Sequence, residues 1–170
     1  MLKSYDALAK LTGSSLAPDL RGSVKFLKVP DGSWVVAEVF GLPEFTEATD
    51  TSPQIGPFGF HIHEFDTCGQ QSGDSPFLGA GAHWNPDGEP HGNHAGDFPV
   101  LFSNGGTAKM MFFTNKFFPE DVIGRSVVIH QSPDDYKTQP ASGGKRIACG
   151  VIVPAPTLGQ SDFDNPDALL

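Results

Sequence analysis

The chain has little positive charge. Lysine and arginine number 11 against 20 aspartates and glutamates, a formal charge of −9 over 170 residues. No basic run exists to displace phosphate counterions, which excludes nucleic acid as a partner. The same balance opposes any small anion, so an anionic substrate needs a local positive site. Apolar runs are also short. None reaches the roughly 18 residues of a membrane span, so no membrane association is expected. The first residues, MLKSYDALAKL, are interrupted by Asp6 and Lys10 and lack the apolar centre of a secretory signal. That places the chain in the cytoplasm, or outside it if a leader has been removed. Cysteine is scarce. Cys68 and Cys149 are too few for a zinc site of their own, and taken alone they read as two buried thiols.

Turn formers are plentiful, with 20 glycines and 15 prolines. They favour short strands over long helices. GSVKFLKV and SWVVAEVF flank Pro30-Asp31-Gly32, a hairpin signal. PVLFS and TAKMMFFT flank Asn104-Gly105-Gly106, a second one. PFGFHIHEF, RSVVIH and RIACGVIV read as further strands, and YDALAKL is ambiguous. About eight strands result, which predicts an all-β sandwich or barrel. Its length fits one domain, residues 1–170, with a core from about residue 20 to 153, a short N-terminal extension and an extended C-terminal tail. Two long stretches, 68–98 and 131–145, resist strand assignment, and long irregular loops tend to carry function.

All six histidines lie between residues 61 and 130. His61 and His63 stand one residue apart in an apolar run, so on a strand they point to one face. HWNPDGEPHGNHAGD holds His83, His91, His94 and Asp97 in the pattern H-x7-H-x2-H-x2-D. Three imidazoles and a carboxylate match the donor set of zinc. His130 ends an apolar run where the second long loop begins. Six imidazoles and one carboxylate exceed the about four ligands of one metal, whereas two metals sharing a bridging imidazole would use them all. Imidazole-rich tetragonal sites suit copper(II).

With these residues assembled, the sequence resembles copper/zinc superoxide dismutase of the bacterial type. The stretches GFHIHEF, GAHWNP, HAGD, GRSVVIH followed by Asp134-Asp135, and GKRIACGVI carry the resemblance in the family's order, over roughly residues 22–153. It implies an eight-stranded Greek-key β-barrel and dismutation of superoxide to oxygen and hydrogen peroxide. His61, His63, His83 and His130 are then the copper ligands, and His83, His91, His94 and Asp97 the zinc ligands, with His83 bridging and passing a proton. Arg146 is the anion-guiding residue, Asp134 links a histidine of each site, and Cys68 and Cys149 form a disulfide. The implied partners are superoxide and a copper-delivery protein, with homodimer and monomer both left open. The segment HGNHAGD and the loop from His130 to Arg146 are short for the family, which bears on zinc affinity and substrate steering. A non-enzymatic copper/zinc-binding protein on the same fold is the alternative, opposed here by the complete copper set and Arg146.

Overall fold

Strict alternation builds the first half of the barrel. In strand β3, Gly32–Phe40, Val35, Ala37 and Val39 are fully buried while Trp34, Val36 and Glu38 face outward. β-Branched and aromatic residues suit this half-buried pleated surface. β3 pairs antiparallel with β2, Arg21–Val29, through the turn that the Pro30-Asp31-Gly32 signal predicts. In the computed structural model, which describes residues 5–69, 76–138 and 143–156, seven strands form one sheet in the order β4-β6-β7-β1-β2-β3-β5. The others are β1, Ala7–Gly13; β4, Phe60–His63; β5, Thr107–Thr114; β6, Ser126–His130; and β7, Arg146–Pro154. The longest helix among the described residues is the four-residue α1, Pro119–Val122. The predicted C-terminal tail lies mostly outside the described residues.

Three differences from the expected strand map have physical reasons. YDALAKL contains β1, which sits in mid-sheet between β2 and β7. Its good helix formers yield to tertiary context: Ala7, Ala9 and Leu11 enter the core while Lys10 faces solvent. The segment expected as an N-terminal extension thus supplies a central strand. The predicted eighth strand, PVLFS, shrinks to one bridge between Leu101 and Phe58; Pro99 lacks the N–H that a longer ladder needs. The glycine turn after it does form. Gly105 and Gly106 have φ of 57° and 78°, and they close a bridge from Asn104 to Thr107.

The second half of the barrel sets out the site. β4 and β6 are buried along their whole length, because the core covers one face and loops cover the other. Phe60, Ile62, Val127 and Ile129 enter the main core. Alternation then puts His61, His63 and His130 on the opposite face, with Val128 directly across from His61. Gly59 makes this crowding feasible, since a Cβ there would lie 3.2 Å from the His130 Cβ and 3.3 Å from the His61 ring. Between β6 and β7 the register shifts at Ile129/His130, so that Ile129 faces Ala148 and His130 faces Arg146. The extra residue is Ile147. Such a bulge re-aims the side chains beside it.

Candidate metal centre

Each ring on the β4–β6 face is oriented by one backbone or carboxylate acceptor. His63 Nδ1 donates to the Gly81 carbonyl at 3.0 Å, and His130 Nδ1 donates to the Gly144 carbonyl at 3.1 Å. His61 Nε2 donates to Asp134 Oδ2 at 2.5 Å, and His83 Nδ1 donates to Asp97 Oδ1 at 2.8 Å. A neutral imidazole carries one proton. Each of these four rings therefore has a lone pair on its other nitrogen: His61 Nδ1, His63 Nε2, His83 Nε2 and His130 Nε2.

Those four lone pairs are the best evidence for a cation. One ligand atom from each of His61, His63, His83 and His130 lies within 4.8 Å of the others. His63 Nε2 and His130 Nε2 stand 3.2 Å apart. Burial, reinforced by neighbouring histidines, pushes both rings well below their ordinary pKa, so neither is protonated near neutrality. Burial likewise takes His61 from the usual 6.5 down to about 4, against the opposing effect of the hydrogen bond it donates to Asp134. Among the described residues, His61 Nδ1 and His83 Nε2 have no hydrogen-bond partner. Each such orphan costs about 1–3 kcal/mol. A metal ion would satisfy all four, so the residues fit one.

A second group adjoins the first. His61, His83, His91 and Asp97 also present ligand atoms within 4.8 Å of one another. His94 lies outside that group, but its Nδ1 is 3.3 Å from Asp97 Oδ2. The His91 and His94 rings stack at 5.4 Å, and His83 meets both edge-on. Burial works to raise the Asp97 pKa, but His83 and the Gly92 amide outweigh it and hold the carboxylate below its usual range. Asp134 is lower still for the same balance, with His61 and the Tyr136 amide prevailing over burial.

Asp134 joins the two groups. The oxygen that accepts from His61 lies 3.0 Å from His91 Nε2. His91 Nδ1 faces the Thr138 carbonyl at 2.8 Å, so both its nitrogens point at acceptors. Lys116 Nζ donates to the Asn93 carbonyl, to Asn93 Oδ1 and to the His94 carbonyl, bracing the short segment between the ligating groups. Arg146 Nη1 donates to the Phe77 carbonyl at 2.7 Å, and Nη2 to the Gly81 carbonyl at 2.6 Å. Burial lowers its pKa, though a guanidinium remains charged. His63, His83, His130 and Arg146 line a cavity of about 570 Å³ that opens to solvent.

Cys68 and Cys149 form a disulfide with Cα atoms 5.5 Å apart. It packs with Phe77, Ala80 and Val128 in a small cluster, and the Phe77 carbonyl accepts from Arg146. The sequence placed the six histidines, Asp97, Asp134, Arg146 and the two cysteines on the candidate roster. It missed the carbonyls of Gly81, Thr138 and Gly144, together with Lys116 and Tyr136. Glycines flanking the histidine loops were the one available signal.

The comparisons with known proteins agree with this geometry. The family model for copper/zinc superoxide dismutase matches residues 21–152. A Cu-Zn superoxide dismutase of Deinococcus radiodurans is 37% identical over 150 residues, covering 77% of this chain and 76% of the relative. One from Legionella pneumophila is 31% identical over 156 residues, covering 86% of each. The solved Cu/Zn superoxide dismutase from Brucella abortus superposes with a TM-score of 0.66 at 26% identity, over 85% of this chain and 98% of that one. With residues 21–152 under the family model and the buried histidines gathered on one face of its Greek-key barrel, the chain belongs to the copper/zinc superoxide dismutase family.

Proposed function

We propose that this protein dismutates superoxide with its histidine centre, using copper and zinc as cofactors: 2 O₂⁻ + 2 H⁺ → O₂ + H₂O₂. In this reading His61, His63, His83 and His130 hold copper, while His83, His91, His94 and Asp97 hold zinc. His83 serves both ions. The observation that carries it is the convergence of four inward lone pairs beside the Arg146 guanidinium, at the floor of an open cavity.

Copper, when bound, supplies the one-electron chemistry by alternating between two oxidation states. The protein's own groups do the rest. Arg146 attracts and orients the anion, and two carbonyls hold its guanidinium in place. His83 Nε2 holds a proton between half-reactions and gives it to the departing peroxide. The other nitrogen of that ring, Nδ1, faces Asp97, with which it would hold zinc, so the proton moves at one defined atom, Nε2. Asp134 holds His61 and His91 in register.

We take the chain as one domain that includes β1. Its bridge between Cys68 and Cys149 favours an oxidising compartment over the cytoplasm. No helix among the described residues is long and apolar enough to cross a membrane.

The deciding experiment follows superoxide absorbance after rapid mixing with protein loaded with both metals, with the metal-free protein as control. Fast, copper-dependent decay that slows with added salt is expected. Decay no faster than the control, with both metals shown to be bound, overturns the enzyme reading.

A further inference from the structure

Tyr136 has no part in the chemistry above, yet its backbone is held in the left-handed region at φ 54°. For a bulky aromatic residue that conformation is unfavourable and persists only where surroundings impose it. Three contacts impose it here. The Tyr136 amide donates to Asp134 Oδ1 at 2.9 Å. Its hydroxyl donates to the Phe98 carbonyl at 3.0 Å. Its own carbonyl lies against Gly92, where a Cβ would come within 2.4 Å.

The places it touches are telling. Gly92 directly follows His91, and Phe98 directly follows Asp97. Tyr136 therefore grips both flanks of the segment that carries three of the proposed zinc ligands. Only Gly92 and Asn93 separate His91 from His94, too little chain to build its own support. By occupying Asp134 Oδ1, the Tyr136 amide also leaves Oδ2 to face His61 and His91. The turn behind it is closed by Asp135, whose carboxylate accepts the amides of Lys137 and Thr138 at 2.9 and 2.8 Å, and the Thr138 hydroxyl.

We propose that Tyr136 is a positioning residue for the zinc half of the centre, fixing the Asp134 carboxylate and clamping the His91–Asp97 segment from both ends. The inference rests on the reading that His91, His94 and Asp97 hold zinc.

Two variants test it. Tyr136→Phe deletes only the hydroxyl, with its bond to the Phe98 carbonyl and its interaction with the Val100 backbone. Tyr136→Asn removes the ring as well, but asparagine tolerates the left-handed backbone and keeps the amide. Zinc affinity is read by competition with a chromophoric chelator, and ligand geometry by the visible spectrum of cobalt(II) placed in the zinc site. Thermal unfolding of the metal-free protein reports the fold separately. Partners of metal ligands typically govern affinity by about 10- to 100-fold, so about tenfold weaker zinc binding is expected in Tyr136→Phe and more in Tyr136→Asn. The cobalt bands should shift in both while the metal-free fold still melts cooperatively. Zinc binding within twofold of the parent, with an unchanged cobalt spectrum in Tyr136→Phe, overturns the proposal. Asp97→Ala is the control. If it loses zinc while the Tyr136 variants do not, the clamp alone is wrong; if it keeps zinc, the ligand reading falls too.

Discussion

Arg146 and His63 share one acceptor. The Gly81 carbonyl receives Arg146 Nη2 at 2.6 Å and His63 Nδ1 at 3.0 Å. One oxygen thus sets both the anion-binding charge and the tautomer of a proposed copper ligand. Gly81 sits at φ 79°, and a Cβ there would meet the Phe65 ring at 2.6 Å.

Arg146→Ala should therefore separate steering from metal binding. Local positive sites raise on-rates by about 10- to 1,000-fold. A fall of about 10- to 100-fold in superoxide decay rate is expected, with a weaker salt dependence. Copper and zinc contents, measured by elemental analysis, should stay at parental levels. If copper is lost as well, Arg146 acts through Gly81 on His63 and not on the anion.

His130→Ala removes one of the four inward lone pairs and leaves the proposed zinc residues untouched. Turnover should vanish while stoichiometric zinc remains. Activity within tenfold of the parent would take His130 out of the copper set.

Acid should unfold the metal-free protein early. Burial depresses His61 to about 4, and His63 and His130 move the same way. Between their folded and unfolded pKa values the unfolded chain binds more protons. The neutral rings thus stabilise the fold fully above about pH 6.5, and that stability is lost as pH falls toward 4. His61 alone accounts for about 3 kcal/mol. Asp97 and Asp134, held low, add losses that begin as pH falls into the usual carboxylate range and continue below it. Urea midpoints of the metal-free protein should drop between pH 7 and 4.5. A flat profile there would mean that the rings are not buried as neutral species.

Reducing the disulfide should cost stability and activity together. It closes a loop of 81 residues, worth ~4–5 kcal/mol in the chain-entropy account. The same bridge anchors the chain three residues beyond Arg146. Reduced protein, alkylated and reloaded with metal, should melt well below the oxidised form and show slower superoxide decay. Equal rates at a temperature where both are folded would confine the bridge to stability.

Lys116→Met is expected to weaken zinc binding several-fold without touching a ligand. Its ammonium holds two carbonyls and the Asn93 side chain across the short His91–His94 segment. Chelator competition on the folded variant checks this.

How legible the centre was depends on the kind of information each part needs. His61, His63, His83, His91, His94, His130 and Asp97 stood out as candidates because ligand chemistry resides in side-chain identity, and Asp134, Arg146 and the two cysteines through the family resemblance. β2 and β3 were found because alternation and a turn signal agree. β1 was ambiguous because Ala, Leu and Lys favour helix locally, and only its neighbours make it a strand. The three carbonyls that face the rings carry no residue-type signal at all.

The β7 bulge marks the boundary most sharply. Residues 146 and 149 are three apart, and on an ideal strand they would point to opposite faces. Residue identity along the chain specifies which groups the site has: the imidazoles, the guanidinium, the carboxylates and the two thiols. Tertiary structure decided where they aim. The extra residue at Ile147 lets Ile147 and Ala148 both enter the core, and so returns Arg146 and Cys149 to the face of His130 and Val128. A register shift is set by pairing energies across β6 and β7, strands that lie apart in the chain, and no local pattern in either one encodes it.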